Sequence, residues 1–346
     1  MQTNIVKNVT MAPLRHASQR SGIIGGSQVG LLAGYEGCYS SEFAVYQSYI
    51  GVPEVPTEEM LDAFEAGNNL EPVIADWFSK DFGVKASDEL QFQYVDPDEN
   101  RLVLHPDREF IGPDGKRYGL ECKTASAFAM LKGHWPEQKG AVPMTNIPSW
   151  VPATKPDGIR ALKVYDGSQY VLPGYYAQCL WYMALAGYDG VFLARLTDNR
   201  MTYYFIEPNL KREQFLYDSA RKWLAKVDNG YVPPCVTLDQ VRTKYPKAED
   251  KKVYIADDAF VEKINDLIEL TDQGKELDER IESIKASLGE KMEDCEIAKD
   301  ADGNKLCTFK STNTTRFDTT SFKKDHADLY EAYAKKSETA RSFRLS

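Results

Sequence analysis

Three residues are of the right types and spacing to hydrolyse a phosphodiester: Asp107, Glu121 and Lys123. That reaction needs charge neutralised on the scissile phosphate and a water held in line, which two carboxylates and a magnesium ion supply together. Magnesium prefers oxygen ligands, so paired acids suit it. Asp107 falls at the end of one predicted strand and Glu121 on the next, and a turn between them can bring both acids to one ion. Side chains alternate faces along a strand, so Glu121 and Lys123 share a face while Leu120 and Cys122 take the other. An ammonium at 123 can polarise the water or stabilise developing negative charge. An acid followed by x-Lys downstream of Pro-Asp is a weak pattern in isolation, because charged pairs on exposed strand faces are common.

The elements that must position these residues read as follows. Residues 90–95, 102–105 and 118–124 form a predicted antiparallel meander, with turns at 96–100 and 112–115. Ahead of it a helix follows Thr57, with acids in its first turn and Gly83 just past its end. Met60, Phe64, Gly67, Ile74 and Phe78 draw one inward stripe along that helix, and Glu71 sits on it. A carboxylate on a core-facing line costs several kcal/mol unless paired or metal-bound, which points to function. Pro72 removes a backbone donor and predicts a kink or restart, and the alternative is that this kink turns Glu71 to solvent.

Residues 21–50 read as a glycine-rich turn leading to short helices, one from Ser27 and one from Ser40. The Gly25-Gly26 pair can expose backbone N–H groups to a phosphate, or serve simply as a turn. Residues 133–160 are proline-rich and carry Trp135 and Trp150, which either stack on bases or pack the loop. Pro173 opens a helix closed by Gly187; a hairpin over 191–206 and a helix over 210–228 follow. A boundary near 230–234 divides the chain into a core of residues 1–235 and an appendage of residues 236–346. In the appendage, Phe260, Ile264, Leu267, Leu277, Ile281, Ile284 and Leu288 recur at heptad-like steps, as a long helix or a helical hairpin broken near Gly274. A ribbon turning at Asp302-Gly303 and a final helix over 326–336 complete the chain.

At 346 residues and 42% hydrophobic, the chain can bury an enzyme-sized core. A net charge of −10 argues against nonspecific coating of nucleic acid, because phosphate binding rests on Lys and Arg. Contact with DNA must therefore be local, and the basic termini are candidates: Lys7, Arg15 and Arg20 at one end, Lys335, Lys336, Arg341 and Arg344 at the other. Solvated tails are the alternative reading. Six cysteines without a CxxC pair, beside four histidines, disfavour structural zinc and fit free thiols in a reducing cytoplasm. With no apolar run of about 18 residues and no signal-like N-terminus, the expectation is a protein of the bacterial cytoplasm, with no membrane partner.

The weak pattern at 107–123 keeps specific company. Arg20 and Ser27 lie in Arg-Ser-Gly-Ile-Ile-Gly-Gly-Ser, followed by Gly67 with Glu71-Pro72, His105-Pro106-Asp107, Leu120-Glu121-Cys122-Lys123-Thr124 and Tyr175-x-x-Gln178. In this order, over about residues 18 to 230, the sequence resembles the lambda exonuclease and YqaJ-like viral recombinase family, a branch of the PD-(D/E)xK nucleases of phages and mobile elements. The resemblance implies an α/β fold with a restriction-endonuclease-like core, a mixed central sheet flanked by helices, and here a C-terminal helical and β-ribbon appendage. It implies that Asp107, Glu121 and the main-chain carbonyl of Cys122 ligate Mg2+, with Mn2+ as a substitute, and that Glu71 supports a second ion. Lys123 would act on the nucleophilic water and Gln178 would position Lys123 or the water, with Tyr175 beside them. Arg20 and Ser27 would hold the 5′ phosphate of a double-stranded DNA end. His105 departs from the small hydroxyl residue common at its position, so it either donates to phosphate or sits as a satisfied hairpin histidine. The implied activity is 5′ to 3′ exonucleolysis leaving 3′ overhangs for a single-strand annealing protein, by a ring of three subunits. An endonuclease with the same core and a noncatalytic end-binding scaffold are the rival readings.

Overall fold

Stretches in which almost every residue is apolar, such as 191–196 and 203–206, demand strands covered on both faces. The computed structural model meets that demand with two helical layers around a mixed sheet. It describes residues 10–13, 21–38, 40–125, 135, 140–249, 252–301, 303, 305–311, 315–334 and 341–345. The chain divides into two compact units, Met1–Thr243 and Lys244–Ser346.

In chain order the first unit contains β1 (Thr10–Pro13), α1 (Gly26–Leu32), α2 (Glu42–Tyr49), α3 (Glu58–Phe82), β2 (Phe92–Val95), β3 (Val103–Leu104), β4 (Arg108–Ile111) and β5 (Arg117–Ala125). Then come β6 (Val164–Asp166), α4 (Gly167–Tyr170), α5 (Pro173–Ala186), β7 (Val191–Thr197), β8 (Arg200–Ile206) and α6 (Leu210–Asp228), with α7 (Leu238–Lys244) running to the boundary. The central sheet has the order β4-β5-β7-β8-β6. β4 and β5 form an antiparallel hairpin, β5 and β7 are parallel, β7 and β8 antiparallel, and β8 and β6 parallel. A smaller sheet, β1-β2-β3, stands apart from it.

The expected meander therefore splits. Residues 102–104 do not pair with the 118–124 strand; β3 pairs with β2, and the true partner of β5 is β4, which the sequence reading passed over. The reason is Pro106, which offers no N–H to a ladder and lies where the chain leaves one sheet for the other.

The two faces of the central sheet carry separate cores. Leu120, Cys122, Phe192, Ala194, Tyr203 and Phe205 pack against Ile74, Phe78 and Phe82 of α3. The opposite face, with Leu193, Tyr204 and Ile206, packs against α5. Almost every residue from Tyr176 to Ala186 is buried, as expected of a helix enclosed all round. Pro173 begins α5 and Gly187, at φ 65°, ends it.

α3 differs from expectation in two respects. It continues through Pro72 as one helix of 25 residues, because the Asn68 carbonyl deprived of its partner lies at an exposed position where water can replace the lost bond. Its inward stripe also begins late: Met60 and Phe64 are 46% and 54% exposed, and only from Ile74 onward does the helix bury its apolar face.

The second unit contains α8 (Asp258–Met292), the ribbon β9 (Ile297–Lys299) and β10 (Lys305–Thr308), and two short helices, α9 (Thr319–Asp325) and α10 (Ala327–Tyr333). α8 runs through Gly274 as a single helix of 35 residues rather than a hairpin. Asp302 and the Lys335-Lys336 end of the expected last helix lie outside the described residues.

α1 lies across α5 through glycine. A Cβ added at Gly30 would stand 3.0 Å from the Ala177 Cβ, and one at Gly26 would stand 2.9 Å from Cε1 of Tyr182. The Ala177 methyl group has no rotamer by which to yield. Gly30→Val should therefore cost about 1–3 kcal/mol from overpacking, despite the helix propensity gained over glycine, read as a lower urea midpoint with unchanged m-value.

Candidate active site

The β4–β5 hairpin brings Asp107 to the flank of β5. The ladder ends at the pair Arg108–Leu120, so Cys122 has no β4 residue beside it. Its N–H instead donates to Oδ2 of Asp107 at 2.7 Å. In an extended strand the N–H and C=O of one residue point to the same edge, so the Cys122 carbonyl also lies on the Asp107 side. The Cys122 thiol points into the α3 core on the other face.

Glu121 has no solvent exposure. Its Oε1 accepts from Nε2 of Gln178 at 2.8 Å and pairs with the Lys123 ammonium, and its Oε2 accepts from the Tyr182 hydroxyl at 2.6 Å. Gln178 Nε2 also donates to the Tyr182 oxygen at 2.7 Å. Gln178 thus donates to the same Glu121 oxygen that pairs with Lys123. The sequence reading missed Tyr182, although its spacing of four from Gln178 puts both on one helix face. Tyr175, one turn earlier on α5, lays its ring 4.7 Å from the Lys123 nitrogen.

Asp107, Glu121, Lys123 and Gln178 line one cavity of about 420 Å³, together with Ser27 and His105. Nε2 of His105 lies 2.8 Å from the Leu90 carbonyl and must donate to it, since a carbonyl only accepts. Its other nitrogen remains an acceptor in the neutral ring. The Gly25 N–H is taken by Oε1 of Gln28 at 2.9 Å, and α1 is capped at Gly25 rather than at Ser27, which lies in its first turn. Arg20 lies outside the described residues.

Glu71 is half-buried and ion-paired with Arg108, a buried arginine that also donates to the main-chain oxygen of Asp107. It neighbours the site without lining this cavity. Trp135 and Trp150 are packing residues: Trp135 is buried against Tyr175 and Tyr204, and Trp150 against Phe82, Phe110 and Tyr118.

The electrostatics follow from this crowding. Burial, then the charges of Glu121 and Glu71, push the Asp107 carboxyl well above the ordinary carboxylate range, with Lys123 only partly offsetting them. Burial by itself would lower the Lys123 ammonium, but Glu121 and Asp107 outweigh it and hold the pKa above that of a free lysine. Among the described residues no three His, Cys, Asp or Glu side chains converge as a preformed metal cage. Two carboxylates with an adjacent main-chain oxygen fit a hard cation that keeps part of its water shell, as magnesium does. The crowded negative charge at Asp107 is the feature such a cation would relieve.

In sequence the chain is similar to the uncharacterized protein YqaJ of Bacillus subtilis (strain 168), 22% identical over an alignment of 346 positions that spans 96% of this chain and 93% of the relative. In structure it is similar to the alkaline exonuclease LHK-Exo of Laribacter hongkongensis in complex with dAMP, at 14% identity and a TM-score of 0.41, covering 66% of this chain and 96% of the other. A phage-related exonuclease from Haemophilus somnus 129PT matches at 11% identity and a TM-score of 0.37, covering 60% and 96%. These structural likenesses are too distant to carry any residue's role across. Residues 16–189 match the YqaJ-like viral recombinase domain. That stretch is just over half of the chain and holds every residue of the cavity from Ser27 to Tyr182, and the chain belongs to the YqaJ-like viral recombinase family.

Proposed function

We propose that the protein is a metal-dependent deoxyribonuclease of the PD-(D/E)xK kind, degrading linear double-stranded DNA from its 5′ ends and leaving 3′ overhangs. The observation that carries this reading is the convergence of Asp107, Glu121 and Lys123 on one cavity, in a family whose name denotes recombination. Asp107, Glu121 and the Cys122 carbonyl would hold the cation, Mg2+ or Mn2+, which when bound neutralises charge at the scissile phosphate and acidifies a water. A second ion would require Glu71 to exchange Arg108 for metal. Lys123, an ammonium beside Glu121, would serve as an electrostatic donor to developing negative charge. Gln178 and Tyr182 lock the Glu121 carboxylate in place. Ser27 and Arg20 would take the terminal 5′ phosphate, with His105 at the rim. In this reading residues 1–235 are the nuclease core and residues 236–346 serve assembly. A trimeric ring and a single-strand annealing partner would complete the system in the cytoplasm of a bacterial host.

Digestion of end-labelled linear duplex bearing 5′ phosphates should proceed with Mg2+ and stop in excess chelator, while covalently closed circles persist. Cleavage of the circles would favour an endonuclease. Ser27→Ala should narrow the preference for phosphorylated over hydroxyl ends by roughly tenfold, the loss expected for one hydrogen bond to a charged group.

Lys123→Ala should reduce kcat by about 10²–10³ with an unchanged circular dichroism spectrum. Asp107→Asn should abolish hydrolysis yet melt higher than the wild type in chelator. The sign follows from linkage: with its folded pKa above the unfolded value of about 3.9, Asp107 favours folding at low pH, and that contribution is lost as pH rises through the folded pKa. At neutral pH its ionisation therefore opposes folding, and asparagine removes the penalty. Mg2+ should raise the melting temperature of the wild type and leave that of the variant unmoved; equal metal stabilisation of both would remove Asp107 from the cation site.

A further inference from the structure

A second cavity, of about 560 Å³, opens on the side of the sheet that carries α3. Lys80, Lys155, Arg160 and Arg200 line it, against the single carboxylate of Asp81, with the indole of Trp77 in its wall. Four cations at one cavity stand out in a chain of net charge −10. Asp81 is already engaged, accepting from Lys155 Nζ at 2.5 Å and from the Tyr203 hydroxyl at 2.7 Å.

Three separate segments deliver these cations, and two of them are fixed by their own turns. Lys155 and Arg160 face each other across a tight loop closed by the Lys155 N–H to the Arg160 carbonyl at 2.8 Å and by the Thr154–Ala161 bridge. Within that loop Oδ1 of Asp157 accepts from the N–H groups of Ile159 and Arg160, both at 2.9 Å. Arg200 follows the two-residue turn of the β7–β8 hairpin, where Asp198 is held at φ 52°. The third segment is α3, which brings Trp77 and Lys80.

Lys155 is held by Asp81, and the other three cations are available to a ligand. Lys80 and Arg160 pair with Asp76 and Asp157 only as surface pairs, with lysine and arginine side chains 68% and 72% exposed, and water screens such pairs strongly. A phosphate can replace them at small cost. Arg200 makes no ion pair among the described residues. Trp77 is 39% exposed and its ring has no aromatic neighbour among them. A flat ring amid exchangeable cations is the arrangement that takes a nucleobase and its phosphates.

Lys123 lies beside Arg195 across the β5–β7 pairing, and the hairpin turn at Asn199 is four residues further on. At about 3.3 Å per residue that is roughly 13 Å along β7, whose far end reaches the second cavity on the other face of the sheet.

We propose that the cavity of Trp77, Lys80, Lys155, Arg160 and Arg200 is a second DNA site that binds single-stranded DNA, with a base on Trp77 and phosphates on Lys80, Arg160 and Arg200. The inference rests on the nuclease reading only for the choice of DNA as the ligand.

The test is fluorescence anisotropy of a fluorescein-labelled single-stranded oligonucleotide with the full chain in chelator, across a KCl series. The double variant Arg160→Ala/Arg200→Ala should raise Kd about tenfold and reduce the salt slope by about one to two, at roughly 0.7 per phosphate contact. Trp77→Ala should raise Kd about tenfold with the salt slope unchanged, the signature of lost stacking. Unchanged Kd and slope in both variants would overturn the proposal, as would a poly-glutamate peptide that outcompetes the oligonucleotide with no effect of Trp77→Ala, which marks an acidic-peptide dock. Duplex hydrolysis by the same proteins with Mg2+ is scored separately. Failure of the wild type to cleave would sink the nuclease reading without altering the anisotropy result, and unchanged anisotropy would sink the second site without altering cleavage.

Discussion

A carboxylate with no solvent exposure in the middle of a central strand is the constraint on which the arrangement depends. Glu121 is tolerated there because one ammonium, one amide and one hydroxyl meet its two oxygens. Stripping partners from a buried charge typically costs 3–5 kcal/mol, so these contacts are requirements of the fold as much as of the site. They dictate that α5 lie on this face of the sheet and present Gln178 and Tyr182 one turn apart. They also dictate that α1 come close enough to back α5, which glycine at 26 and 30 allows.

The same neighbourhood is electrostatically unbalanced. Among the described residues, Glu71 and Glu121 are each answered by one cation, Arg108 and Lys123, while Asp107 sits beside them. Asp107 is left with a main-chain N–H, and its carboxyl is driven upward in pKa as a result. A fold under selection for stability alone has no reason to keep this arrangement, and violations of local rules concentrate where function demands them. Arg108 is the least expected member: it occupies the acid that family resemblance would reserve for metal.

The central sheet separates two cavities of different character. On the α5 side, acids and one lysine line the wall; on the α3 side, lysines and arginines surround an indole. Net charge conceals this, because the potential a ligand meets is set by the side chains within a Debye length of it and not by the sum over the chain. An acidic protein can thus present a basic surface where loops and a hairpin turn concentrate it.

Sequence by itself determined what period and chemistry encode locally. The placing of Glu121 and Lys123 on one face follows from strand alternation, Pro173 and Gly187 bound α5, and Thr57 and Gly83 bound α3. Tertiary structure decided everything that depends on which segment meets which. It chose 108–111 over 102–105 as the partner of β5, because a ladder skips the proline between them and no local propensity names the strand that replaces it. It gave Glu121 to Tyr182 and Glu71 to Arg108, pairs separated by 61 and 37 residues, and it brought Lys80, Lys155 and Arg200 to one cavity. Charges and hydroxyls carry no periodic signal of their own partners, so such pairings emerge only when apolar burial has already folded the elements that carry them.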